Sequence, residues 1–114
     1  MRLKVLFFDI ASFDAMREQL RAHIDHYTKR RIQWEERAAS LRARTQSLLR
    51  KRLERRAPEE HEAIAELKAL AFDGNVARAK AEIEWAERGL ALVDDLEVRH
   101  TERAASAKAR RPSL

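Results

Sequence analysis

Six large residues recur every seven positions in the first half of the chain: Phe13, Leu20, Tyr27, Trp34, Leu41 and Leu48. Seven residues make two helical turns, so all six fall along one side of a helix. Neither Gly nor Pro occurs between Ser12 and Pro58. The pattern predicts one unbroken helix running from an N-cap at Ser12, with Asp14 in the first turn, to about Arg56. Met16, Ile24, Ala38, Leu49 and Leu53 widen its apolar face. Beside that face runs a basic row at the same interval: Arg30, Arg37, Arg44 and Lys51.

Ala57-Pro58 reads as a turn, with Pro58 suited to the first position of a following helix. That helix is predicted over Glu59 to about Glu97. Its residues Val76, Ala79, Ile83, Ala86, Leu90 and Val93 alternate spacings of three and four, the seam of a coiled coil. Asp73-Gly74-Asn75 interrupts the pattern, and a kink or a close helix contact is expected at Gly74, since one Gly costs a helix only about 1 kcal/mol. Glu59, Glu66, Asp73, Glu87 and Asp94 form an acidic row expected to face the basic row. Ahead of the long helices, Leu3–Ile10 reads as a short apolar helix or a strand, with Leu3, Leu6, Phe7 and Ile10 fitting the helical spacing.

The fold class expected is therefore all-α: a short N-terminal helix, then two long antiparallel helices, coiled-coil-like and completed by dimerisation. Residues 1–98 are expected to form a helical dimerisation domain, and 99–114 a basic, disordered tail. A two-helix hairpin buries one stripe on each helix and leaves Trp85, Leu92, Leu96, Ile32 and Leu53 off those stripes. Small units of this kind seldom hold together alone, and a symmetric dimer is the simplest way to cover the surplus.

Charge changes this picture by its distribution. The chain of 114 residues has a net charge of +5 and a pI near 10.1, which invites a nucleic-acid reading. Yet residues 1–57 hold 15 basic and 7 acidic groups, whereas residues 58–98 hold 4 basic and 11 acidic. Two long segments of opposite sign are expected to neutralise each other. Where they do not, Arg30, Arg37, Arg44 and Lys51 are candidates for sequence-independent contact with nucleic acid.

Candidate chemistry is sparse. Without Cys there is no disulfide, thiolate metal site or Cys nucleophile. His23 and His26, with Glu18 and Asp25 nearby, have metal-ligand spacing, but the apolar seams supply no inward carboxylates to complete a site, so a solvated or interface role is expected. No Gly-rich phosphate loop or nucleophile signature is present. No enzyme activity, cofactor or metal is expected. Val5–Phe8, as long as any apolar run in the chain, is too short to span a membrane, and a cytoplasmic location without membrane partners is expected.

Three stretches occur in order: Leu3-Lys4-Val5-Leu6-Phe7-Phe8-Asp9; the charged helix containing Leu20-Arg21-Ala22-His23; and Gly74, Ala79 and Ile83-Glu84-Trp85. Taken together they resemble the C-terminal domain of the PadR-like transcriptional regulators. The likeness covers about residues 3–97. It implies a homodimer formed through these helices, with Leu6, Phe7, Trp34, Ile83, Trp85 and Leu92 as candidates for the dimer interface or for contact with an aromatic effector. In that family a preceding winged helix reads DNA. No such helix is visible here, so the chain is expected to be a C-terminal part that binds DNA only weakly or through the missing domain. A full-length regulator is then a further candidate partner. The competing expectation is a free-standing coiled-coil adaptor, or a modulator that forms mixed dimers with another helical protein.

Overall fold

The computed structural model describes residues 10–110, and every element among them is helical. Helix α1 spans Ile10–Arg42, a short α2 spans Ser47–Glu54, a single 3-10 turn covers Pro58–Glu60, and α3 runs from His61 to Arg110. The all-α class and the two long packed helical arms agree with the sequence reading. The short helix expected over Leu3–Ile10, with Leu6 and Phe7, lies outside the described residues except for its end.

The chain divides into two compact units. The hairpin unit comprises residues 25–83, and the terminal unit brings residues 10–24 together with 84–110. In the hairpin unit, Ala38 and Leu41 of α1, Leu49 and Leu53 of α2, and Ala65 and Ala69 of α3 form one buried cluster, with Ile64 and Phe72 packed against it. In the terminal unit, Phe13 and Leu20 of α1 meet Ala86 and Val93 of α3, flanked by Met16, Ile24, Leu90 and Leu96. The segments of α1 and α3 in this unit run antiparallel: Phe13 lies against His100, Arg17 reaches Asp94 and Glu97, and His23 lies against Trp85. The seam of α3 is built largely from alanines, with Ala69, Ala79 and Ala86 wholly buried. Small side chains there let the larger residues of α1 and α2 approach the α3 backbone, and each buried Leu stabilises its unit by about 1.5–3 kcal/mol.

The first arm is not one unbroken helix. It stops at Arg42 and resumes at Ser47. Arg44 sits in the left-handed region with φ 57°. The amide of Arg44 donates to the Leu41 carbonyl (3.1 Å) and that of Thr45 to the Ser40 carbonyl (3.0 Å), the pair of bonds that makes a Schellman C-cap. Side chains fasten the break. Thr45 Oγ1 donates to the Ser40 carbonyl, Gln46 Nε2 to Ser40 Oγ, and Arg50 Nε to the Arg44 carbonyl. The turn resets the helical phase, so Leu49 and Leu53 face the core and Leu48, the sixth member of the seven-residue row, is 80 % exposed.

Gly74 passes without interruption inside α3, and an added Cβ there would meet only the Arg78 side chain, at 3.5 Å. The close helix contact lies instead at Gly89, where an added Cβ would come within 3.1 and 3.2 Å of the two methyls of Leu20. Within the expected tail at 99–114, residues 99–110 are helical as the end of α3, and the remainder lies outside the described residues. Ala, Arg and Lys favour helix, the first Pro comes only at position 112, and the Thr101 hydroxyl donates to the Glu97 carbonyl across the former boundary.

Candidate functional site

Two arginines that do not belong to the predicted basic row carry ion pairs from one arm to the other. In the terminal unit, Arg17 of α1 donates from Nε to Asp94 (2.8 Å) and from Nη2 to Glu97 (2.8 Å), and from Nη1 to Asp14 (2.8 Å) on its own helix. In the hairpin unit, Arg42 donates from Nε to Glu66 (3.0 Å) and forms a bidentate pair with Asp73, with Nη1 to Oδ1 at 3.1 Å. Hydrogen bonds to Glu97 and Asp94, and to Asp73 and Glu66 respectively, hold both guanidiniums above their ordinary range. The Arg42 hydrogen bond holds the Asp73 carboxyl below the usual carboxylate range. Three members of the acidic row, Glu66, Asp73 and Asp94, are thus correctly identified as cross-arm partners, but their cations were misassigned. At 100° per residue Arg42 lies about 140° round α1 from Arg37, on the opposite flank of the seam.

The arginines of the predicted row do something else. The Arg30 guanidinium lies over the Trp34 ring and that of Arg37 over the Phe72 ring, both at 5.8 Å. Arg30, Gln33, Trp34, Arg37, Ser40 and Phe72, with Glu36, line an open groove of about 550 Å³ in the hairpin unit. Arg44 forms the left-handed turn and Lys51 is exposed on α2; neither lines this groove.

The candidate interface residues fall into both units. Ile83, half-buried, belongs to the hairpin unit, as does Trp34. Trp85 and Leu92, one heptad apart on α3, are 41 % and 55 % exposed in the terminal unit. The inner side of Trp85 covers His23, whose ring meets it edge-on at 5.5 Å. His23 is therefore buried rather than solvated, and His26 turns to Tyr27 (5.0 Å). The hairpin unit has its own exposed pair on α3, Leu67 at 68 % and Leu70 at 60 %. At 100° per residue they project from the side of α3 opposite Ala65 and Ala69.

Among the described residues, no group of three or more His, Cys, Asp or Glu is placed to hold a metal ion, and no helix is long and apolar enough to cross a membrane. No family model matches the chain, and no curated protein matches its sequence.

Proposed function

We propose that this chain is a helical homodimerisation module whose pairing surface lies on the outward side of α3. The observation that carries this reading is the exposure of Trp85 and Leu92 on one face of a helix whose other face already fills a core. Exposed aromatic and aliphatic residues at heptad spacing are suited to contact with a second helix. The PadR-like features of the sequence favour the same role, as the pairing part of a transcriptional regulator, with effector sensing at Trp34 or Trp85 as its elaboration. Location in the cytoplasm follows from that role.

Sedimentation equilibrium at micromolar concentration tests the proposal. A dimer is expected, converted to monomer by Leu92→Glu with helicity retained. A monomeric, cooperatively melting wild-type chain overturns it. A Trp fluorescence titration with phenolic acids and planar dyes tests the sensing part, which fails if no response appears at millimolar ligand.

A further inference from the structure

The groove of the hairpin unit combines two features that the pairing role does not use. Its two half-buried rings, Trp34 and Phe72, each lie beneath a guanidinium. Those guanidiniums differ from the two that link the arms. Arg17 and Arg42 are committed to carboxylates on α3, whereas among the described residues Arg30 and Arg37 take part in no ion pair. Both are exposed. Glu36 is the one carboxylate in the lining. An aromatic face beside a free cation is the unit from which proteins bind unpaired bases: the ring, or the guanidinium stacked on it, takes the base, and the cation meets the adjoining phosphate.

The form of the groove decides between ligand classes. Pockets for small molecules enclose most of the ligand's surface, but this groove is open along α1 and could cover only one side of an occupant. An extended polymer laid across it can make up the shortfall from contacts on either side. A duplex keeps its base faces stacked internally and out of reach of Trp34 and Phe72. We infer that the groove lined by Arg30, Trp34, Arg37 and Phe72 binds single-stranded nucleic acid without sequence preference, one or two nucleotides lying across the rings. This is a second activity, separate from pairing, and it requires no winged helix.

The experiment is a fluorescence anisotropy titration of the whole chain with labelled 12-mers of oligo-dT and oligo-U, a duplex of mixed sequence, and a mononucleotide competitor, each at several salt concentrations. Binding of either single strand at least tenfold tighter than the duplex is expected. Affinity should fall with salt at a slope of about −1.4 for two phosphate contacts. Arg30→Gln with Arg37→Gln, both at exposed positions, should lower single-strand affinity about tenfold or more and flatten that slope, with circular dichroism unchanged. Phe72→Leu should lower affinity while leaving the salt slope intact, because it removes a stacking face and no charge. Lys51→Gln with Arg52→Gln serves as the charge control and should change affinity less than the groove pair. Equal binding of duplex and single strand overturns the inference. So does a mononucleotide that binds as tightly as the 12-mer, or a loss from the control pair equal to that from the groove pair.

Discussion

The two units solve the same packing problem with different means. Each sets a portion of α1 against a portion of α3, and each is clasped by one arginine reaching two carboxylates. In the hairpin unit those links span 24 and 31 residues of chain, and three leucines contributed by α1 and α2 close over Ala65 and Ala69. In the terminal unit the links span 77 and 80 residues, and Phe13 and Leu20 close over Ala86 and Val93, with the Leu20 methyls set against Gly89. The hairpin unit is joined by contacts local in sequence; the terminal unit is joined by contacts remote in sequence and includes one close fit at a glycine. Local contacts form with less loop-closure entropy, so the hairpin unit is expected to form first and the terminal unit to close on a turn already made.

The largest effect that could break this comparison is Leu20→Ala. Leu20 is the largest fully buried side chain among the described residues, and its truncation should cost about 2–5 kcal/mol in chemical denaturation. Hydrogen exchange should show the loss concentrated at residues 10–24 and 84–110, with residues 25–83 still protected. Uniform loss of protection would mean that the two units melt as one. Next comes Gly89→Leu, expected to cost about 1–3 kcal/mol by overfilling the space Leu20 occupies. Gly74→Ala should do the reverse, stabilising by about 0.5–1 kcal/mol, because α3 is regular there and the added methyl meets only a mobile arginine. A thermal melt of the two glycine variants side by side separates a glycine required by packing from one that is not. Arg44→Gly should also stabilise, by about 1 kcal/mol, by removing a side chain from a left-handed position.

How far the sequence could be read is clearest at these same residues. The α3 seam through Ala79, Ala86 and Val93 was legible because apolar spacing of three and four survives any detail of packing. Pro58 announced the second arm because its ring favours the first turn of a helix. The break at Ala43–Gln46 was not legible, since helices that end in the left-handed region usually signal it with Gly or Asn, and here Arg44 adopts it. Ser40, Thr45, Gln46 and Ser47, a polar cluster inside the apolar row, are the signal that could have found it. Of the two glycines, the one in a turn-like context drew the eye, yet nothing in the sequence shows that Leu20 stands opposite Gly89; that is a fact of register between distant segments. The groove at Trp34 escaped for the same reason. The basic row was visible, but that Phe72 stands across from Arg37 depends on how the arms align.

The smallest expected effect concerns the arginine clasps. Because Arg42 lowers the Asp73 carboxyl in the folded chain, the stability it contributes is present above the unfolded carboxylate range, near pH 4, and is lost as pH falls through the lower folded value. Arg42→Gln should therefore lower the melting temperature slightly at neutral pH and flatten its decline between about pH 5 and pH 2, measured by circular dichroism. An unaltered acid profile would show that the clasp contributes nothing beyond its geometry.

Heptad repeats have a weakness: two arms can slide by one repeat and still match apolar to apolar. The Leu20–Gly89 fit acts as a detent against that slip. A shift of seven residues either way would bring Leu20 opposite Glu82 or Leu96 in place of Gly89, where no gap exists to receive it. One absent side chain thus sets the alignment of the terminal unit, and an otherwise repetitive sequence is given a single zero mark on its scale.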